Sequence, residues 1–587
     1  MIDLAAAPRP GSAAAPQART SAPARVAAGF LGGGVLACAM AAAAGAADNA
    51  ERFAYPREIV LHLAAATAAA LLLLGARRIR ADAADLLLGA FTLLGVVSGL
   101  TVSVNPAYAL RATGISVSAA LVFWTARTLS EGDGGRSTSF TCMAALAGVV
   151  VAVTALLDAY GVLDLSLAGR APGGLFGNRN RMAHFVALGL PVALLHAARA
   201  RGRTRVLGWT AALAAMAAAV TLSRSRAAWL ALGVAGVLVA AAGLLYLRGA
   251  LRARGGPRAA LLATALAAGT AAAVALPNTL EWRSSSPYYD SLVGLVEAGS
   301  GSGRTRLVQY ANTLRMAAAH PVLGVGPGNW TIQYPRYSRE GDPSFHPRAR
   351  VPTNRLPHGD WTGFAAERGF PALLALASFL FLALRSALRS AAAPRARGEG
   401  QDEAARPDLG ALALLGTVLV LCVAGTFDPV LMTPAPAFLV FLVLGALMPR
   451  EAPVLSRPLV PAVRTASLVL LLLLAPRLAV HSGRQLWADS LYDTRSGPAA
   501  LERAVRINPD DYTARMLLAE ARVREGRCDR AAPHMVAAFR LFPTAVAPVR
   551  LMVRCQRALE AAGGAGIGLP RLPLPAPGAP GGTAPAP

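Results

Sequence analysis

Lysine is absent from this 587-residue chain, and all 57 basic residues are arginine. That absence excludes the lysine of a phosphate-binding Walker loop, a lysine Schiff base with pyridoxal phosphate, and lysine-linked biotin or lipoyl groups. Acidic residues are also few, 32 in all, so the formal net charge is +25. Charged residues of both signs make up only 15% of the chain and hydrophobic ones 55%. Soluble domains carry about 25% charged residues, so the composition indicates a membrane protein. No cysteine pair has metal-site spacing, and no Asp-x-Asp pair of the kind that holds a metal for nucleotide-sugar transferases occurs. The nearest outer pair, Glu340 with Asp342, reads as solvated loop. A basic excess can also mark a nucleic-acid partner, so the positions of the arginines have to decide.

Apolar runs centre near residues 26–46, 59–76, 83–104, 107–128, 139–159, 182–198, 205–222, 227–247, 259–276, 368–385, 409–426, 434–448 and 464–480. Each approaches the roughly 20 residues a helix needs to cross the hydrocarbon core, which gives about thirteen spans. The first run ends in Ala44, Gly45, Ala46, as a cleaved signal does, but its length favours a retained helix. The expected fold is all-α, a polytopic membrane bundle. A tail at 1–25 and the Gly-, Pro- and Ala-rich end at 563–587 are expected to be disordered.

Orientation follows from arginine in the short connections. Arg77, Arg78 and Arg80 fall on one side, with Arg199, Arg201, Arg203 and Arg205, then Arg248, Arg252, Arg254 and Arg258, then Arg385, Arg389, Arg395, Arg397 and Arg406, and later Arg450, Arg457 and Arg464. With that side cytoplasmic, the connection near 160–180, a large loop at 277–360 and everything after about 481 lie in the periplasm. Arginine clusters at membrane ends therefore account for the charge, and no nucleic-acid partner is implied. The outer loop is itself rich in arginine. An anionic partner on that face and the general arginine usage of the chain both explain such density.

Segment 482–562 reads as a soluble helical module. Pro509 and Pro543 lie 34 residues apart, as do Ala504 and Ala538, which is the tetratricopeptide period. Two such pairs fall short of the three usually needed for independent stability, so the module is expected to pack on the outer loop or bind a protein partner. Cys528 and Cys555 both fall in it, and sequence leaves open whether they form a disulfide. Cys38, Cys142 and Cys422 lie singly in apolar runs.

Three polar clusters interrupt the outer ends of the spans. The first is Phe176-Gly177-Asn178-Arg179-Asn180-Arg181, and the second is Ser223-Arg224-Ser225-Arg226. The third begins with Gly303-Arg304-Thr305-Arg306, continues through Pro321-Val322-Leu323-Gly324-Val325-Gly326, and ends at Pro357-His358-Gly359-Asp360-Trp361. Singly, each has an ordinary reading: arginines snorkel to headgroups, glycines make turns, and a lone histidine sits satisfied at an interface. All three fall on one membrane face under an orientation drawn from other residues.

Together they resemble the O-antigen ligase and polymerase superfamily of bacterial envelope glycan transferases, over about residues 160–390. His358, Gly359, nine further residues, Gly369 and Ala372 fit its histidine pattern. Gly359 departs at a polar position and Ala372 where glycine is common, while Asp360 keeps the family's His-x-Asp. The resemblance implies an undecaprenyl-pyrophosphate-linked glycan donor, a lipid or glycan acceptor such as the lipid A core, no cofactor and no metal. It makes His358 the base, with Arg226 and Arg304 stabilising the diphosphate leaving group. Arg224, Arg306, Asn178, Asn180 and Asp360 are the expected substrate contacts. A polymerase extending lipid-linked repeats and a protein O-oligosaccharyltransferase share this donor chemistry and remain open. A polysaccharide transporter would place polar groups near mid-bilayer on broken helices, and a bare scaffold would leave the arginine and histidine clusters without a task.

Overall fold

The computed structural model describes residues 21–43, 50–131, 133–167, 169–247, 256–282, 284–296, 301–339, 341–392, 408–493 and 495–561. The expected disordered ends lie outside these residues, except that the first helix already begins at Ala22. Also outside are Ala44 to Ala46, Glu340, and Arg248, Arg252, Arg254, Arg395, Arg397 and Arg406 of the orientation argument.

The chain is an all-α, multi-pass membrane protein. Among the described residues, twelve helices are long and apolar enough to cross a membrane. They are α1 (Ala22–Met40), α2 (Tyr55–Gly75), α3 (Ala83–Thr101), α4 (Pro106–Ser130), α5 (Gly134–Ala159) and α6 (Arg179–Arg199), then α7 (Arg203–Ser223), α8 (Arg226–Leu247) and α9 (Gly256–Ala275). Between α9 and the next span come α10 (Pro287–Val296), α11 (Gly301–Ala319) and the short α12 (Trp330–Gln333). The spans resume with α13 (Asp360–Ala392), α14 (Leu409–Phe427) and α16 (Pro461–Ser490). The thirteenth apolar run forms α15 (Pro434–Leu447), only 14 residues long and surrounded by other helices. Four helices follow: α17 (Pro498–Ile507), α18 (Tyr512–Arg524), α19 (Cys528–Leu541) and α20 (Val546–Ala561).

Polar caps set where the spans begin. Asp82 accepts from the amides of Ala84 and Asp85 at the start of α3, Asn105 does the same for α4, and Asp408 for α14. Small residues let the helices approach closely: the carbonyl carbon of Ala214 lies 2.7 Å from where a Cβ on Gly269 would sit. At one end of the bundle, β1 (Arg78–Ala81) pairs antiparallel with β2 (Leu455–Pro458). Beside it the buried Arg127 guanidinium meets Asp82 at 2.6 Å.

Helix α13 is broken at Gly369, whose φ of 81° and ψ of 169° suit glycine alone, and a side chain there would also strike the Val322 carbonyl. The Pro321 to Gly328 turn fills the break. Val325 N–H donates to Ala366 O at 2.9 Å, Gly326 N–H to Glu367 O at 3.0 Å, and Phe370 N–H to Pro321 O at 2.8 Å. Backbone freed from the helix is thereby re-paired, which a membrane interior demands.

The helices after the last span pack on the 277–360 connection. Ile332 is buried with Tyr512, Met516 and Phe542, and Arg350 makes a two-pronged contact with Glu520 at 3.1 and 2.8 Å. Cys528 and Cys555 are joined across α19 and α20, with Cα atoms 5.7 Å apart.

Candidate functional site

The end of the bundle opposite the strand pair carries a cavity of about 320 Å³. One wall is the entry to α6. Asn178 caps that helix by accepting the Asn180 amide at 2.9 Å, and Asn178, Asn180, Arg181 and His184 all line the cavity. The preceding turn needs Gly177, with φ of 62°, because a Cβ there would collide with the Phe53 ring. Asp158 fixes the rest of the turn by accepting from the amides of Gly173 and Gly174 at 2.9 and 3.1 Å.

His358 enters from the connection before α13 and is held by α11. Its backbone N–H donates to Gln309 Oε1 at 2.5 Å, and its carbonyl accepts from the Tyr310 hydroxyl at 3.1 Å. Burial pushes that phenol up to about 12, so it stays a donor. The imidazole presents Nε2 to Asn354 Nδ2 at 3.3 Å and Nδ1 to Asp428 Oδ1 at 4.0 Å. Burial holds the imidazole below its ordinary range; the Asp428 carboxylate opposes this and the Arg306 charge adds to it. At neutral pH the ring is therefore uncharged and able to accept a proton.

Asp428 sits in the connection between α14 and α15. Its second oxygen lies 3.3 Å from Arg306 Nη2 and 3.6 Å from His184 Nε2. Asp360 holds that connection in place. Fully buried, it accepts the amides of Val430, Leu431 and Met432 at 3.1, 2.9 and 3.3 Å.

Not every cation on the wall is open to a ligand. Arg57 donates to the carbonyls of Phe53, Cys38, Ala39 and Leu175 and lies over the Phe176 ring, so it braces the framework. Arg355 pairs with Glu51, which also takes Arg111 at 2.9 Å. Arg181 makes no hydrogen bond or ion pair among the described residues, and Arg170 is exposed at the rim. The wall therefore combines open guanidinium charge, an uncharged imidazole and a single carboxylate.

Of the sequence-derived candidates, His358, Asn178 and Asn180 line the cavity, and Arg306 stands behind Asp428. Asp360 is placed to anchor a loop, with both oxygens occupied by backbone amides, where a substrate contact was expected. Arg224 and Arg226 reach α10: Arg224 Nε donates to Ser291 Oγ at 2.9 Å and Arg226 Nη1 to Gly294 O at 2.5 Å. Arg304 is exposed on α11 and does not line the cavity. Sequence reasoning missed Asp428, His184 and the Glu51–Arg355 pair. The phase of α11 held one usable signal, because Arg306, Gln309, Tyr310 and Thr313 form a single stripe and Arg304 falls off it.

A family model described as O-antigen ligase matches residues 211–377, from within α7 to the middle of α13. No curated protein matches the chain.

Proposed function

We propose, on the premise that residues 211–377 are an O-antigen ligase domain of the O-antigen ligase and polymerase superfamily, that this membrane protein is a glycosyltransferase using a lipid-diphosphate donor. The donor in this reading is a glycan on undecaprenyl pyrophosphate, and the acceptor is a hydroxyl of the lipid A core at the periplasmic face of the inner membrane. The observation that carries the reading is the shared cavity, where His358 faces open arginine charge.

The acceptor hydroxyl gives its proton to Nε2 of His358 as its oxygen bonds to the anomeric carbon. The bond from that carbon to the diphosphate breaks, and its electron pair stays on the diphosphate oxygen. Arg181 and Arg170 meet the growing negative charge, with Arg306 as further positive charge behind Asp428. Guanidinium groups stay protonated throughout, so the stabilisation needs neither ATP nor a metal ion. Asp428 is a positioning residue: a proton on Nδ1 directed at it leaves the Nε2 lone pair as the base, and the acceptor hydroxyl takes the place of the Asn354 amide that Nε2 accepts from in its absence. Asn178 and Asn180 offer amide groups to the sugar or the diphosphate.

The test is glycan analysis of a deletion strain complemented with wild-type or His358→Ala protein. Intact polymer left on the carrier in the variant, with membrane insertion unchanged, is the expected result. Single repeat units would replace the ligase reading with a polymerase, and normal surface display would overturn the proposal.

A further inference from the structure

Glu51 lies in the single helical turn at Ala50–Phe53 and is only 7% exposed. One carboxylate oxygen meets Arg111 Nη2 of α4 at 2.9 Å, and the other meets Arg355. Arg111 Nε also donates to Glu58 Oε1 of α2 at 2.7 Å, and the second oxygen of Glu58 accepts from the Ser482 hydroxyl of α16 at 2.9 Å. The Arg111 guanidinium lies 4.5 Å over the Tyr55 ring, whose hydroxyl donates to Gln485 Oε1 of α16 at 3.2 Å. Glu51 is thus fixed from behind by α2, α4 and the last span.

Two buried carboxylates sharing one guanidinium leave a negative charge without compensation, which a protein interior penalises heavily. Arg355 supplies the second cation. It comes from outside the three helices, three residues before His358, and its neighbours Asn354, Leu356 and Pro357 line the cavity with it. Proline has its φ fixed and restricts the residue before it, so a displacement at Arg355 passes through Leu356 and Pro357 to His358 with little slack. The same segment is held further back by the helices after α16, where the Tyr512 hydroxyl donates to Arg350 O at 2.7 Å. A cluster that served only to join α2, α4 and α16 would give no reason to draw its last charge from the segment that carries the imidazole.

We infer that Glu51 is a positioning residue for His358, acting through Arg355: the buried carboxylate holds the 354–358 segment at the depth and direction at which Nε2 faces the cavity. This rests on the proposed transferase reading, in which His358 is the base, and adds to it what sets the base's place. Glu51 touches no reacting atom in this account. Its effect is geometric, and a shift of about 1 Å in a reacting group can cost about a hundredfold in rate.

The experiment uses the full-length, detergent-solubilised protein with a glycan on undecaprenyl pyrophosphate as donor and lipid A core as acceptor. Glu51→Gln and Arg355→Ala should each lower kcat by about tenfold or more, with donor KM within about twofold of wild type. Arg355→Lys keeps a cation on Glu51 and should recover most of kcat. The double variant Glu51→Gln/Arg355→Ala should lose no more than either single change, because the two alter one contact. A raised KM at unchanged kcat, or losses that add, would overturn the inference. Hydrogen exchange of the same proteins needs no turnover. The peptide carrying residues 354–358 should exchange about tenfold faster in Glu51→Gln and Arg355→Ala but not in Arg355→Lys, while α19 exchanges as in wild type. Because Arg355 is exposed, its two variants decide the matter even if Glu51→Gln fails to insert. Unaltered exchange would overturn the inference even with kcat lowered, since the arginine would then act on the substrate itself. Altered exchange in a protein whose wild type transfers no glycan would instead count against the transferase reading alone.

Discussion

Nδ1 of His358 lies 4.0 Å from Oδ1 of Asp428, and the other oxygen of that carboxylate lies within reach of Arg306 and His184. Catalytic hydrogen bonds are often longer before substrate binds. The carboxylate thus faces one basic nitrogen of the candidate base and leaves the other toward the cavity.

Asp428→Asn should lower kcat by about ten- to a hundredfold with little change in donor KM. The pH profile adds a signature. With His358 as the proposed base its neutral form is the active one, so activity should rise with pH through its pKa, and that limb should lie below the ordinary imidazole range because burial disfavours the charged ring. Asp428 favours the charged ring and Arg306 opposes it, so removing the carboxylate should move the limb to still lower pH. An unmoved limb would deny the coupling.

Arg306→Ala should cost about a hundredfold in kcat/KM, and Arg304→Ala only a few-fold. Steady-state transfer rates of the two purified variants decide the matter. Equal losses would return Arg304 to the role that family resemblance gives it.

Asp360→Ala leaves three backbone amides of the loop after α14 without their acceptor. A loss of about 1–3 kcal/mol is expected, together with reduced transfer because Asp428 is no longer held. Thermal unfolding in detergent, compared with Asp360→Asn, separates the loop effect from loss of charge.

Gly369→Ala should destabilise by about 2 kcal/mol or more, since its backbone conformation is nearly glycine-only and the added methyl meets the Val322 carbonyl. A melting temperature equal to wild type would show that the turn at 321–328 can withdraw.

Cys528→Ser should slow the denatured chain on a non-reducing gel and cost about 3 kcal/mol of module stability, because the bond closes a loop of 27 residues. Unchanged mobility would show that the bond does not form.

The thirteen apolar runs were legible because each is a local property, a stretch of one composition. The short α15 was the weakest of them and proved to be an enclosed helix of 14 residues. His358, Asn178 and Asn180 were legible because glycine and asparagine mark the turns that aim them. Asp428 was not, since a lone acid after Phe427 acquires meaning only once α6, α11 and the loop before α13 converge on it. Asp360 was misread for the converse reason: its neighbour His358 faces the cavity, while its own partners lie 70 residues further along the chain. The phase of α11 puts Arg306 on the stripe of Gln309 and Tyr310 and Arg304 off it, but only the fold shows that this stripe faces Asp428.

The cavity wall is drawn from the chain near residues 53–57, 170–184, 354–358 and 428–436. A nascent polypeptide entering the bilayer from its first helix therefore holds the framework early but gains its carboxylate only when the loop before α15 emerges. A chain that stops short of residue 428 thus lacks one wall of the cavity altogether, so the pocket is completed only when most of the spans are already made.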